Sequence, residues 1–404
     1  MNIILANATI ANGNRGCTAL AITTVHILQK LLSEAKVDYK IFLTDSHQRP
    51  NKIYQYKVGE LCLNYYTCNY PKSLDWKNNI INKGKSLLGK NEAKNIFKNA
   101  DYILDIGQGD SFADIYGKHR FETIDLIHKL ARAYNKPYCI LPQTIGPYSD
   151  SAIKNDADES IAKATLCMAR DKQSYDYVVN NVPSQKTVKE YIDVAFFMPY
   201  EKIKQNDGYT HVGLNVSALL WNGGYTRNNQ FGLCTDYQDI IRSIIDYFMA
   251  MPNTKVHLIP HVVAEERGVE NDYEICYELW REYNNEKLVI APFALGPIEI
   301  KSYIAGMDFF MGARMHSTIG AFSANVPVLP MAYSRKFNGL FVDTLNYPHM
   351  VDLKAQNKEE IMSLVKSSFE NRKELTTKIE DRMNGVVKER EALLYSELRK
   401  FLHI

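Results

Sequence analysis

The segment Met311–Phe322 combines a strand end, small residues and two side chains suited to binding an anion. An apolar run ends at Gly312 and a helical pattern follows it, so we expect the amide groups of a helix N-terminus near the strand end. Arg314 offers a planar set of donors for carboxylate or phosphate, and His316 can exchange a proton near neutral pH. In the structural alternative, Arg314 pairs with a nearby carboxylate and His316 satisfies a hydrogen bond in the core.

Two further cations follow the next apolar run along the chain. Arg335 and Lys336 lie within Tyr333–Phe337, and we expect them at the same edge of the sheet as Arg314. Lys336 is the better candidate for anion binding, and a solvated loop is the alternative for both residues.

Four strand ends in the first half of the chain also carry glycines or polar side chains. They are Asn12–Leu20, Asp105–Asp114, Leu141–Pro147 and Ala169–Asp171. The first could hold a phosphate or a sugar hydroxyl at a helix N-terminus, but it matches neither the dinucleotide-binding motif nor the phosphate loop. Asp110 and Asp114 could orient or deprotonate a hydroxyl, whereas helix capping is their structural alternative. Arg170 could contact a ligand or pair with Asp171.

The pattern between these segments indicates two α/β halves. Short apolar runs bounded by Gly, Pro or Asn alternate with longer helical patterns, which is typical of parallel sheets covered by helices. The polar stretch Glu201–Asp207 interrupts the alternation, and we place the linker between two doubly wound domains there. Ligands of such sheets bind beyond the carboxyl ends of the strands, so we expect the polar strand ends to meet in one cleft.

Composition and charge exclude some classes of protein. The 404 residues carry a formal net charge of +2, so long-range attraction to nucleic acid is not indicated. The seven cysteines have no zinc-like spacing, and we expect them to be reduced and mostly buried. Met1–Leu5 indicates a first strand and not a signal peptide, and no apolar run is long enough to span a bilayer. We therefore expect a cytoplasmic protein.

The segment Lys72–Lys98 is basic, with seven lysines against two carboxylates and apolar residues between them. A solvated helical face is one interpretation. The other is an amphipathic surface that meets anionic lipid or a lipid-linked acceptor, which would place the protein peripherally at the inner face of the cell membrane.

Over nearly its full length, the chain resembles the polysaccharide pyruvyl transferase family. The segments that carry the resemblance are Asn14–Leu20, Gly107–Asp114, Leu141–Pro147, Ala169–Asp171 and, most specifically, Gly312–His316. Two departures from the family pattern are Gln108, where a glycine is common, and Met315, where leucine is common. Neither departure removes a charged group.

The resemblance implies a fold class. The family is an α/β fold with two Rossmann-like domains in a glycosyltransferase-B-like arrangement, with an interdomain cleft and a C-terminal helix that returns to the first domain. We predict an N-terminal Rossmann-like domain on the acceptor side at residues 1–200, a C-terminal Rossmann-like domain on the phosphoenolpyruvate side at 208–375, and a helical segment at 376–404.

The resemblance also implies an activity, which is transfer of the enolpyruvyl group of phosphoenolpyruvate to a sugar of a cell-surface polysaccharide or its lipid-linked precursor, giving a pyruvate ketal and phosphate. We expect Arg314, Arg170 and Lys336 to bind phosphoenolpyruvate, His316 to act as the acid, and Asp110 to orient or deprotonate the acceptor hydroxyl. The residues expected to contact the acceptor are Asn14, Gly16, Asp114 and Gln143. We expect phosphoenolpyruvate as a co-substrate, with no cofactor and no metal.

Two other functions stay open at this point. A glycosyltransferase-B enzyme that takes a nucleotide sugar would have the same fold, because a fold does not fix a function. A noncatalytic glycan-binding member would also keep the fold. The acceptor sugar and the oligomeric state do not follow from the sequence.

Overall fold

The computed structural model describes residues 1–44, 52–68, 92–203, 205–264 and 268–404. Most of the basic segment Lys72–Lys98 lies outside the described residues, and its predicted contact with lipid stays a prediction. No helix among the described residues is both long enough and apolar enough to cross a membrane.

The chain divides into two compact units. Unit 1 comprises Met1–Asn12, Leu20–Val194 and Glu389–Ile404, and unit 2 comprises Gly13–Ala19 and Ala195–Lys388. Each unit is built around its own sheet.

Unit 1 contains a sheet of eight described strands in the order β3-β4-β2-β1-β5-β6-β7-β8. The strands are β1 (Asn2–Ala6), β2 (Lys40–Thr44), β3 (Ile53–Val58), β4 (Leu61–Cys68), β5 (Tyr102–Asp105), β6 (Tyr138–Gln143), β7 (Leu166–Ala169) and β8 (Lys189–Glu190). All neighbours are parallel except β3 and β4. Every residue of β6 is buried, as expected for a central parallel strand covered on both faces.

Helices connect these strands. They are α1 (Arg15–Glu34), α2 (Glu92–Asn99), α3 (Lys118–Ala133), α4 (Ser151–Lys163) and α5 (Lys172–Asn181). Carboxylates begin two of them: Asp150 accepts hydrogen bonds from the amides of Ala152 and Ile153, and Asp171 accepts one from the amide of Ser174. Such caps satisfy amides that have no partner inside the helix.

Unit 2 contains a parallel sheet of six described strands in the order β11-β10-β9-β12-β13-β14. The strands are β9 (Thr210–Asn215), β10 (Thr254–Leu258), β11 (Leu288–Ile290), β12 (Phe309–Gly312), β13 (Val328–Ala332) and β14 (Val351–Asp352). The helices are α6 (Ala218–Trp221), α7 (Tyr237–Met249), α8 (Asp272–Tyr283), α9 (Pro297–Ile304), α10 (Met315–Ser323), α11 (Arg335–Phe337), α12 (Lys358–Glu370) and α13 (Arg372–Arg382). Rings of Phe248, Phe309 and Phe369 pack together in its core.

The chain passes from unit 1 to unit 2 after Val194, which is earlier than the predicted linker Glu201–Asp207. A buried lysine of α9 accounts for the difference. The Nζ atom of Lys301 donates to the carbonyls of Phe196 at 3.2 Å and Met198 at 2.8 Å. Unit 2 therefore holds this stretch of backbone before the polar stretch begins.

The last helix, α14 (Lys388–Leu402), packs on unit 1. The ring of Phe401 lies 5.2 Å from that of Tyr102, and Glu397 pairs with Lys189 at 2.9 Å. The predicted return of a C-terminal helix to the first domain is confirmed. The part of the chain in unit 1 begins at Glu389, whereas the predicted segment begins at residue 376, because α13 stays in unit 2.

Candidate active site

Asn215 connects three neighbouring strand ends of unit 2. It is the last residue of β9, which lies between β10 and β12 in the sheet. Its side-chain oxygen accepts a hydrogen bond from the amide of Arg314 at 2.9 Å, and its side-chain nitrogen donates to the carbonyl of Ile259 at 3.0 Å. The chain segments that follow β10 and β12 therefore start from fixed positions at the same sheet edge.

The guanidinium of Arg314 is buried and holds two carboxylates. Its Nε lies 3.2 Å from both carboxylate oxygens of Asp272, and its Nη2 lies 2.8 Å from one of them. Its Nη1 donates to Glu270 at 3.2 Å. Burial lowers the pKa of Arg314, but the charge and hydrogen bonds of Asp272 outweigh burial and raise it above its ordinary value. The ion pair considered in the sequence analysis is therefore present.

Asp272 also fixes the backbone around the site. Its carboxylate is fully buried and accepts hydrogen bonds from the amides of Ala218 at 2.8 Å, Val262 at 3.0 Å and His261 at 3.2 Å. One carboxylate therefore joins the segments after β9 and β10 to the side chain of Arg314. Asp272 was not predicted as a site residue, although an acid in the first turn of a helix was a visible signal.

His316 lies in the first turn of α10, directly beside the loop that begins α1. Arg314 is the N-cap residue of α10 and no side chain caps this helix start. Gly16 contacts the imidazole so closely that a Cβ atom at this position would lie 2.8 Å from Cγ of His316 and nearer still to Nδ1. The absence of a side chain at Gly16 therefore allows this approach.

The loop that contains Gly16 is attached to unit 2 by backbone hydrogen bonds. The amide of Arg15 donates to the carbonyl of His261 at 3.0 Å, and the amide of Val263 donates to the carbonyl of Gly13 at 2.9 Å. The side chain of Asn14 accepts from the amide of Gly16 at 3.0 Å, which caps α1. These bonds explain why Gly13–Ala19 groups with unit 2, although we predicted it within the first domain.

His261 is a site residue that the sequence analysis missed. Its side chain is 5% exposed, and neither ring nitrogen has a hydrogen-bond partner within the described part of the chain. Burial, together with the electrostatic effect of His316, Arg314 and Arg15, holds the pKa of His261 well below its ordinary value, so the ring is neutral at pH 7. The residue directly follows the predicted strand Lys255–Pro260, and the rule that ligands bind beyond strand ends would have found it.

Lys336 lies near the same group of residues. Its ammonium group is 5.8 Å from the centre of the Tyr333 ring. Tyr333 is in turn close enough to Arg314 to act electrostatically on the pKa of the guanidinium. The structure thus brings together in unit 2 five of the predicted site residues, namely Asn14, Gly16, Arg314, His316 and Lys336.

The other four predicted site residues lie in unit 1. Asp114 accepts hydrogen bonds from the amide and hydroxyl of Ser149, and these bonds lower its pKa despite the opposing effect of burial. Asp110 accepts from the hydroxyl of Tyr116 at 3.1 Å. Gln143 is fully buried and donates to the backbone carbonyl of Asp105 at 3.1 Å.

Arg170 is the fourth of these residues, and its side chain is only 1% exposed. Its Nη1 donates to Asp193 at 3.0 Å, whereas Asp171 is 4.0 Å away. The pairing with Asp171 considered from the sequence is thus weaker than the pairing with Asp193. The predicted contacts of Arg170, Asp110, Asp114 and Gln143 with substrates stay predictions, as does the meeting of all polar strand ends in one cleft.

A buried charge network in unit 1 was not predicted. His128 of α3 lies 2.9 Å from a carboxylate oxygen of Asp105 and 3.1 Å from one of Asp125. Burial lowers its pKa, but the hydrogen bonds and charges of the two carboxylates outweigh burial and raise the pKa of His128 to about 9. The network joins the end of β5 to α3.

Within the described ranges, no three His, Cys, Asp or Glu residues lie close enough together to hold a metal ion. The expected absence of a metal and of a cofactor stays a prediction.

Solved structures define the fold class. A candidate UDP-N-acetylglucosamine 2-epimerase from Listeria monocytogenes is 12% identical, with a TM-score of 0.60, 100% of this chain covered and 97% of that chain. Sucrose-phosphate synthase from Thermosynechococcus elongatus is 10% identical, with a TM-score of 0.58, 100% of this chain covered and 99% of that chain. UDP-GlcNAc 2-epimerase from Neisseria meningitidis, bound to UDP-GlcNAc, is 10% identical, with a TM-score of 0.58, 99% of this chain covered and 100% of that chain.

At such low identity these likenesses show the fold alone, which is the glycosyltransferase-B class with parallel sheets in two α/β units. The predicted fold class is confirmed. No curated protein sequence matches the chain. The sequence profile of the polysaccharide pyruvyl transferase family matches residues 14–335. The chain belongs to this family, as the motifs predicted.

Proposed function

We propose that the protein transfers the enolpyruvyl group of phosphoenolpyruvate to a sugar of a cell-surface polysaccharide or its lipid-linked precursor. The products are a cyclic pyruvate ketal and inorganic phosphate. Family membership supports pyruvyl transfer in general, and the site supports an anionic donor. We expect the reaction to take place in the cytoplasm.

The observation that carries the proposal is the placement of Arg314 and His316. They stand at the carboxyl end of β12, and α10 begins there without a side-chain cap. A guanidinium at an uncapped helix start, with an imidazole in the first turn of that helix, is suited to a ligand with a phosphate and a carboxylate. Arg15 and Lys336 add cations in unit 2, and a neutral pocket could not desolvate such a ligand.

Every bond and proton of the proposed reaction can be accounted for. The methylene carbon C3 of phosphoenolpyruvate gains a proton, and C2 becomes electrophilic. Two acceptor hydroxyls form bonds to C2 while the bond from C2 to the phosphate oxygen breaks. The hydroxyls lose two protons in total, of which C3 keeps one and the released phosphate keeps the other. We assign protonation of C3 to His316 and binding of the anionic groups to Arg314 and Lys336.

Arg314 must exchange a partner when the ligand binds. Asp272 is fully buried and holds Nε and Nη2, so we expect that pair to persist. The backbone carbonyl of Glu270 accepts from Nη2 at 3.0 Å, but the side chain is 36% exposed and contacts the guanidinium through Nη1 alone, so a ligand oxygen can take the place of the carboxylate. Arg314 then keeps its orientation through Asp272 while Nη1 binds the ligand.

The test is a turnover assay with phosphoenolpyruvate and a panel of polysaccharide fragments. Phosphate release is measured together with the mass of the acceptor, which must gain one ketal-linked pyruvate. We expect His316→Gln to reduce turnover about a hundredfold or more, as removal of a general acid does. Arg242→Ala, which removes a surface arginine paired with Glu282, is the matched control and should retain activity. Wild-type turnover by His316→Gln would contradict the assignment.

A second candidate is glycosyl transfer from a nucleotide sugar. The observation that favours it is the likeness of the fold to an enzyme solved with UDP-GlcNAc. Hydrolysis or transfer of a nucleotide sugar, with no reaction of phosphoenolpyruvate, would support this candidate. A noncatalytic glycan-binding protein would show neither reaction.

A further inference from the structure

The imidazole ring of His261 lacks hydrogen-bond partners among the described residues, although the backbone of the residue is fully engaged. Its backbone carbonyl and amide are both used, by Arg15 and Asp272. Its ring is buried, and both ring nitrogens are without a partner among the described residues. A buried polar group left in this state destabilises the folded protein, and such groups are rare in native proteins. A buried position of this kind therefore calls for a ligand.

The surroundings of the ring define the charge of that ligand. Arg15, Arg314 and His316 are all close enough to act electrostatically on the imidazole, and each can carry a positive charge. Two carboxylates of this site are already engaged, since Asp272 binds the guanidinium of Arg314 and Glu270 binds its Nη1. An anion placed here would satisfy the ring N–H and offset the surrounding cations.

The geometry points to His261 as a ligand-contacting residue, which donates a hydrogen bond to an anionic oxygen of phosphoenolpyruvate and takes up a proton from solvent when that ligand binds. The inference rests on the proposed function and adds a residue to it. Before binding, the neutral ring avoids adding another cation to the cluster. After binding, the negative charge of the ligand favours the imidazolium, because an opposite charge within a few ångströms stabilises the charged form.

This residue supplies the second proton of the proposed reaction. Ketal formation needs one proton at C3 and one at the departing phosphate, and a single acid cannot hold both at once. With His316 assigned to C3, protonated His261 donates to the phosphate oxygen as the bond to C2 breaks. The two protons lost by the acceptor hydroxyls then restore both histidines.

Titration calorimetry tests the inference directly. Phosphoenolpyruvate is titrated into the full chain at about pH 8, where a phosphate monoester with a second pKa of about 6 is fully ionised. Repeating the titration in buffers of different ionisation enthalpy gives the number of protons taken up. We expect net uptake by the wild type. His261→Gln should bind about tenfold or more weakly and lose that uptake, whereas the control His349→Gln, a half-buried histidine beside Lys378, should keep both.

The outcomes separate the inference from the proposed function. Wild-type binding with unchanged affinity and proton uptake in His261→Gln would overturn the role of His261 and leave the donor site intact. A wild type that does not bind phosphoenolpyruvate would overturn both. If His261→Gln does not fold, the same titration is carried out with His261→Asn. The wild type also tests the inference by itself, because binding of phosphoenolpyruvate without any proton uptake would contradict it.

Discussion

At the scale of single residues, Arg314 combines a structural contact with the ligand contact that we propose for it. Asp272 holds two of its nitrogens in a fully buried pair, while the half-exposed Glu270 holds the third. Breaking a buried pair by removing one partner costs about 3–5 kcal/mol, so Asp272 is expected to stay in place. Glu270 is instead the group that an incoming anion must displace.

Glu270→Gln should therefore strengthen binding of phosphoenolpyruvate. The amide keeps the shape of the side chain but removes a negative charge that competes with the ligand for Nη1 of Arg314. We expect the dissociation constant, measured by calorimetry, to fall about threefold to tenfold, with a smaller gain at high salt. A weaker affinity in Glu270→Gln would show that the carboxylate itself helps to hold the ligand.

Gly16→Ala should disturb His316. The added Cβ would lie 2.8 Å from Cγ of the imidazole, which is closer than side-chain atoms pack, so the ring or the start of α1 must move. Since displacements of about 1 Å can cost a hundredfold in catalysis, we expect a fall of at least about tenfold in kcat/KM for phosphoenolpyruvate.

The matched control is Gly385→Ala, where an added Cβ meets open space. This variant should keep wild-type kcat/KM. Equal activity of both glycine variants would mean that the position of His316 is not critical.

The sequence reveals some of these residues and hides others. Arg314 and His316 were predicted because they follow a clear apolar strand within a short segment. Asp272, the partner of Arg314, lies 42 residues earlier in the chain, and no local pattern links the two. His261 follows a strand in the same way as Arg314, but its unsatisfied ring is a property of the packed structure alone.

At the scale of secondary-structure elements, the His128 network fixes α3 to the end of β5 in unit 1. His128 binds protons more tightly in the folded state, with a pKa of about 9, than at its ordinary value of 6.5. The folded state therefore gains its full stabilisation below pH 6.5 and loses it as the pH rises through 9. With about 1.4 kcal/mol per pH unit, this contribution amounts to about 3 kcal/mol.

Urea unfolding of wild type and His128→Gln at about pH 6.5 and 9 measures this contribution, since those values bound the titration of the buried group. We expect the variant to be less stable at the lower pH and to approach the wild type at the higher one. His119→Gln, on the exposed face of the same helix, controls for loss of a histidine. A difference between wild type and His128→Gln that does not change with pH would contradict a charged His128.

Lys301 of α9 should give the opposite dependence on pH. Burial lowers its pKa from 10.5 to about 7, so the unfolded chain binds the additional proton between these values. Wild-type stability attributable to Lys301 therefore rises with pH in this window, by up to about 1.4 kcal/mol per unit.

The measurement is urea unfolding of Lys301→Met across the same window. The variant removes the donor to the carbonyls of Phe196 and Met198, and its deficit relative to wild type should grow from neutral to alkaline pH. A deficit that shrinks with rising pH would contradict a lysine that becomes neutral when buried.

At the scale of the whole molecule, the alternation of apolar runs and helical patterns was sufficient to predict two α/β units, whereas the return of the last helix to the first unit was implied by the family resemblance. The boundaries between the two units were harder to predict from the sequence. Long-range contacts decide that Ala195–Tyr200 belongs with unit 2, and that Gly13–Ala19 does so as well. The visible shift in composition comes only after Ala195–Tyr200, at the polar stretch Glu201–Asp207, so composition does not mark the boundary that the contacts define.

The fold of the whole molecule leaves two donors open, since a structure solved with UDP-GlcNAc shares it. The residues of unit 2 favour phosphoenolpyruvate. Arg314 is suited to binding an anion, and His316 and His261 are suited to transferring protons. The most direct measurement is a thermal shift of the purified chain with phosphoenolpyruvate, with phosphate, pyruvate and nucleotide sugars as controls, since a ligand that binds only the folded state raises the melting temperature.

We predict stabilisation by phosphoenolpyruvate that is lost in Arg314→Ala and reduced in Lys336→Ala, which retains the buried pair with Asp272 and should fold normally. Stabilisation by a nucleotide sugar alone, or equal stabilisation of the wild type and both variants by phosphoenolpyruvate, would contradict a phosphoenolpyruvate site at Arg314.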